Sequence, residues 1–153
     1  MTIKVGERIL HLTNKLDFGS AFPQMSLYEK MPAGFAPPYS MMGNPADFRS
    51  GEINTDNYGF RFSDFQGETV SLENIERFDR VNILIGGSTV FGVGSSSDAT
   101  TISSLLGDLT KEPWLNLGVR AAVSFQEYLH LVQHFKKAKS VGKVVVFSGI
   151  NDI

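Results

Sequence analysis

Ser88 follows Gly86-Gly87 where a short apolar run ends, a position at which a nucleophile is useful. Two further segments carry polar groups that could serve it, Asn116-Leu117-Gly118 and Ser148-Gly149-Ile150-Asn151-Asp152. Glycine in such turns permits positive φ or close backbone approach, so N–H groups can be aimed into a shared site. A hydroxyl ringed by fixed amide donors suits acyl transfer, because the donors stabilise the oxyanion formed when the hydroxyl attacks a carbonyl. The hydroxyl also needs a base within hydrogen-bond reach, itself oriented by a third group. Three histidines are available, His11, His130 and His134. On a helix starting near Ser124, His130 and His134 would lie about 9 to 15 Å along the axis from its first residue. They share a polar face with Glu127 and Lys137 and are expected to be solvated. Their i, i+4 spacing is that of a metal pair, but Leu131 stands where H-E-x-x-H has its glutamate and no third ligand is evident. No metal or organic cofactor is expected. His11 falls in a region that the pattern does not place.

The elements that must position these residues begin near residue 80. Val81 to Ile85 reads as a buried strand, Trp114 to Leu117 as a second and Lys143 to Ser148 as a third. Asp98 can cap a helix whose Ile102, Leu105, Leu106 and Leu109 recur at helical spacing. A second helix is expected over Ser124 to Lys139, packed through Phe125, Tyr128, Leu129, Val132 and Phe135. Strand, helix, strand, helix, strand means parallel pairing with right-handed crossovers, an α/β class. Ligands of such sheets sit beyond the carboxyl ends of the strands, at the switch point where successive crossovers leave in opposite directions. Residues 81–153 therefore form the α/β part, and residues 1–80 an irregular N-terminal extension packed on it. Five of the six prolines precede residue 46, and from Phe18 to Asn57 no period lasts two turns, which predicts loops with short strands. Ile3 to Leu16 reads as a strand or short helix.

One hundred and fifty-three residues with 42% hydrophobic content can build one core. A net charge of −2 and the absence of a basic run argue against nucleic acid. Zero cysteines exclude disulfides, iron–sulfur clusters and a thiol nucleophile. No apolar stretch approaches the roughly 20 residues of a membrane span, and the first residues mix charges among apolar ones too often for a signal peptide. A cytoplasmic address is the default expectation.

Three blocks, each after a predicted strand, resemble in order the first three blocks of the SGNH, or GDSL-like, serine hydrolases. They are Ile-Gly-Gly-Ser-Thr-Val-Phe-Gly (85–92), Asn-Leu-Gly-Val with Gly118, and Gly-Ile-Asn-Asp (149–152). The resemblance covers about residues 81–153, and Asn57-Tyr58-Gly59-Phe60-Arg61 is similar to a segment of some bacterial members. It implies a flavodoxin-like parallel sheet with helices on both faces, here incomplete at the C-terminus. It also implies an acyl or acetyl esterase acting on a small-molecule or glycan ester, with a carbohydrate or lipid ester in view. Ser88 takes the nucleophile position; the N–H groups of Ser88 and Gly118 and the side-chain amide of Asn151 take the oxyanion positions. Losing one such donor commonly costs about 2.7 to 4 kcal/mol of barrier. Gly87 departs from the family, whose name motif has Asp there.

The family draws its base from an Asp-x-x-His block, and no Asp of this chain has His three positions later. A truncated coding region is the simplest expectation, with hydrolysis by the chain as given barely measurable. Asp152 is then expected to cap a lost helix, Arg61 to contact an anionic or sugar group or to form a surface ion pair, and Phe91 is the one phenylalanine near enough to Ser88 to meet substrate. Two rival readings stand beside the esterase. One is a non-catalytic domain that binds a saccharide or a protein. The other is a phosphate binder, which the glycines fit poorly because neither G-x-G-x-x-G nor Gly-Lys-Ser/Thr is present.

Overall fold

The computed structural model describes residues 2–5, 8–11, 25–32, 34–36 and 41–152. Strands β1 (Thr2–Val5) and β2 (Arg8–His11) form an antiparallel hairpin, so the first part of Ile3–Leu16 is strand. Residues 12–16 of that stretch, with Pro23, Pro37 and Pro38, lie outside the described residues. Helix α1 (Met25–Lys30) stands where only loops and strands were expected. Its six residues are too few to show a period, and it is held from outside by the Tyr28 hydroxyl, which bonds Gly92 O at 2.6 Å and Ser95 O at 2.8 Å. Strands β3 (Gly34–Ala36) and β4 (Met41–Gly43) pair antiparallel. So do β5 (Ser63–Phe65) and β6 (Glu68–Val70), joined by Gln66-Gly67 with both residues at positive φ, as a two-residue hairpin requires.

The parallel sheet follows. Strand β7 (Val81–Gly86) lies at its centre, with β8 (Trp114–Gly118) on one side and β9 (Val141–Phe147) on the other. Between β7 and β8 run α2 (Ser88–Phe91) and α3 (Ile102–Thr110); between β8 and β9 runs α4 (Ser124–His134). On one face of the sheet Ile83, Ile85, Leu115 and Leu117 pack with Leu131 of α4. On the other, Leu84 and Trp114 pack with Ile102 and Leu106 of α3. The molecule is thus mixed α/β, a parallel sheet flanked by helices. Phe60, Val70, Leu72 and Ile75 enter the same core as Ile83 and Leu115, so apolar packing crosses residue 80 without a break.

Both long helices are rotated from the orientation that their apolar periodicity predicts. In α3, Leu105 and Leu109 face outward, while Ser103, Ser104 and Gly107 are buried. The buried hydroxyls are satisfied: Ser63 Oγ bonds Ser103 Oγ at 2.7 Å, and the Asp64 N–H donates to Ser104 Oγ at 2.9 Å. In α4, Phe125, Tyr128, Val132 and Phe135 are exposed while Glu127 and His130 are buried, the reverse of the expected packing. His130 is held by its Nε2, 3.0 Å from Met42 O, and by edge-on contact with Phe60, so specific polar contacts outweigh the apolar stripe. Asp98 does not cap α3; Thr101 does, and Asp98 is tied to Arg61 instead. Strand β9, expected to be buried, exposes Val144, Val145, Val146 and Phe147.

Candidate active site

Strand β7 delivers the chain to Gly87, and Ser88 is the first residue of α2. The Ser88 carbonyl accepts the N–H groups of Gly92 (3.1 Å) and Val93 (3.0 Å), which closes the short helix. Gly92, at φ 90°, supplies the left-handed C-cap that a side chain would strain. As the first residue of the helix, Ser88 has a backbone N–H without an intrahelical acceptor. Its side chain is half-buried.

The third segment comes to this turn. Asn151 Nδ2 donates to Ala122 O at 2.8 Å and stands 3.0 Å from where a Cβ on Gly87 would lie. One amide hydrogen is committed to Ala122, and the other has no acceptor among the described residues. Among the described residues Asp152 serves α4. Its Oδ1 accepts both the N–H and the hydroxyl of Ser124, each at 2.9 Å, so it serves the first turn of α4.

Gly118 plays a different part from the one expected. Its N–H donates to Asn116 Oδ1 at 2.8 Å and is therefore engaged, not free for an oxyanion. A Cβ on Gly118 would collide with the backbone of Val90 and Phe91, so glycine here lets α2 lie directly on β8. Asn116 completes the joint through its amide, which donates to Val90 O at 2.8 Å and Ser103 Oγ at 3.1 Å. The nearby turn residue Ala121 is held at φ 59°, an unfavourable conformation for a residue with a Cβ.

Against Gly87 lies a cavity of about 120 Å³ bordered by Thr89, Glu127, Phe147, Ser148 and Asn151. Glu127 is 2% exposed, its Oε1 is 3.6 Å from the Cβ position of residue 87, and its Oε2 has no hydrogen-bond partner among the described residues. Burial pushes its carboxyl above the usual range, opposed by a hydrogen bond from Ser148 and reinforced by the charge of Asp152.

Compared with models of known protein families and with curated proteins, the chain matches none.

Neither His130 nor His134 borders this cavity. The two rings stack on each other and meet Phe60 edge-on, His130 wholly buried and His134 half-buried, instead of forming a solvated face. Burial, with the neighbouring charges of His130 and Lys137, lowers His134 to about 4. Among the described residues no group of three or more His, Cys, Asp or Glu could hold a metal. His11 is the last residue of β2, and its side chain lies outside the described residues.

Arg61 is neither a substrate contact nor a surface ion pair. It is wholly buried and bonds Asp98 Oδ1 at 2.8 Å, Gly92 O at 2.8 Å and Glu52 O at 2.6 Å. Because Gly92 caps α2, Arg61 grips the far end of the helix that Ser88 begins. Phe91 is wholly buried and offers no platform to a sugar. Sequence reasoning missed Asn44, whose amide donates to Gly59 O (3.0 Å) and Gly118 O (3.1 Å) while its Oδ1 receives the Arg120 N–H (3.1 Å). Nothing in its local pattern announces partners so distant in the chain. For Asn116, position directly before Leu117-Gly118 was the available signal.

Proposed function

We propose that this chain carries the nucleophile and part of the oxyanion pocket of an SGNH-type serine ester hydrolase, acting on an acyl or acetyl ester of a small molecule or glycan. The approach of the Asn151 amide to the turn that bears Ser88 carries the reading. Ser88 Oγ attacks the ester carbonyl, and the Ser88 N–H and the second Asn151 N–H hold the developing oxyanion. Gly118 shapes the site by admitting α2 against β8. Full turnover requires a base beside Ser88, and His130 and His134 pack on Phe60 instead. The chain alone is therefore expected to be acylated slowly and to turn over more slowly still.

The test is incubation of the intact chain with p-nitrophenyl acetate, read by intact-protein and peptide mass spectrometry. Acetyl should accumulate on Ser88, be absent from Ser88→Ala, and form about a hundredfold more slowly in Asn151→Ala. Acetylation spread over lysines with no preference for Ser88 would remove the esterase reading.

One observation favours the alternative of a non-catalytic domain that binds a protein: Phe125, Tyr128, Val132 and Phe135 form an exposed apolar row along α4. Under that reading Ser88→Ala changes nothing, while charges introduced on this row abolish association.

A further inference from the structure

Glu127 is a carboxyl that the fold removes from water, and among the described residues no cation pairs with it. Its Oε2 lacks a hydrogen-bond partner among the described residues, and a buried acceptor left unpaired is destabilising. The groups facing it are Ser148, Asn151 and Asp152, from the loop after β9, and Gly87, before α2. None is positively charged. The residue borders the Gly87–Asn151 cavity although almost none of its surface meets bulk solvent. At about 120 Å³ the cavity has room for several water-sized groups. Its wall includes the apolar Phe147 and Ile150 and the polar Glu127, Ser148 and Asn151. Gly87 keeps it open, since a Cβ there would press on the Asn151 amide at 3.0 Å and stand 3.6 Å from Glu127.

We propose that Glu127 receives a substrate hydroxyl, so that the site selects an ester of a polyol or sugar over an ester of a simple alcohol. This rests on the hydrolase reading above and names its substrate class. The ester carbonyl lies toward Asn151, the acyl methyl toward Phe147 and Ile150, and a hydroxyl near the ester oxygen reaches the Glu127 carboxyl. Burial and the nearby Asp152 raise that carboxyl above its usual range, and in either protonation state it keeps an oxygen that accepts from an alcohol hydroxyl.

The intact chain is titrated with glycerol 1-monoacetate and, separately, with propyl acetate, following the backbone amide of Gly87 and the side-chain amide of Asn151 by nitrogen–proton NMR. The hydroxylated ester is expected to bind about tenfold more tightly. Glu127→Met keeps the volume without an acceptor and should erase that preference; Glu127→Gln keeps a carbonyl oxygen in place and should retain most of it. Equal binding of the two esters by the native chain overturns the proposal whether or not the variants fold. So does a preference that survives Glu127→Met, or the absence of shifts at Gly87 and Asn151 up to the solubility limit of both esters. Glycerol binding as tightly as its monoacetate would leave the Glu127 contact standing and remove the ester reading.

Discussion

Arg61 Nε and Asp98 Oδ1 lie 2.8 Å apart, with the guanidinium wholly out of water. A buried charge is tolerated when it is paired and hydrogen-bonded, and here the carbonyls of Gly92 and Glu52 and the hydroxyl of Tyr28 accept further guanidinium N–H groups. The fork geometry matters, because one ammonium cannot reach all these directions at once. Arg61→Lys is therefore expected to destabilise by about 3 kcal/mol and Arg61→Met, which leaves Asp98 only its hydrogen bonds from Asn54, by about as much. Urea unfolding measures both; a loss under about 1 kcal/mol for each would show that the grip is dispensable.

Gly118 and Gly87 look alike in sequence but should respond differently to the same added methyl. Gly118→Ala meets the main chain of Phe91, which cannot give way without moving α2, and should cost about 3 kcal/mol or more. Gly87→Ala meets the end of the Asn151 side chain and should cost about 1 kcal/mol. Thermal unfolding of the two variants gives the comparison.

Two buried groups should titrate with opposite effects on stability. Asp56 is fully buried, and loss of hydration pushes it from 3.8 to about 6 despite hydrogen bonds from the N–H groups of Phe60, Leu72 and Tyr58. Its folded form holds a proton more tightly than its unfolded form, so its stabilisation is present below about pH 4 and is lost as pH rises through about 6, by on the order of 3 kcal/mol. His134, lowered from 6.5 to about 4, does the reverse: its contribution is present above pH 6.5 and is lost as pH falls toward 4. The native chain should show a nearly level melting temperature over this window. Asp56→Asn should become less stable toward acid, and His134→Gln more stable toward acid, in calorimetry between pH 4 and 7.

Asp152→Ala releases the Ser124 N–H and hydroxyl together and should cost about 1 kcal/mol. Hydrogen exchange should then accelerate at the first turn of α4 and across the 148–152 loop, while the amides of β7 keep their protection.

The rotation of α4 makes the outward row testable by substitution. Phe125→Gln and Val132→Lys should each change stability by less than about 0.5 kcal/mol, whereas burial of these side chains would have made the losses several times larger. His130→Leu, by contrast, loses the bond to Met42 O and should cost about 1 to 3 kcal/mol.

The strands were legible because β7 and β8 are short runs of apolar, partly β-branched residues closed by glycine, a pattern that little else produces. The serine turn and the Asn151 loop were legible for the same reason, since each follows directly from a strand end. The positions of α3 and α4 were also readable, but not which face turns inward, and the short α1 and α2 were not foreseen. Periodicity assumes that apolar area alone sets the rotation, and here Ser63–Ser103, Asp64–Ser104 and His130–Met42 set it through hydrogen bonds that only the fold brings together. Gly118 was misread because a glycine that admits a neighbouring backbone and one that frees an N–H have the same letter. Arg61 looked like a surface residue because its partners, Asp98 and Gly92, lie 37 and 31 positions away.

Where Gly118 meets Phe91, main chain rests on main chain with no rotamer between them to act as a cushion. A shift of β8 at Gly118 therefore presses directly on the backbone of Val90 and Phe91 in α2. The two segments should fluctuate in lockstep, so that pressure applied anywhere along β8 is felt at the Ser88 hydroxyl as a change of aim.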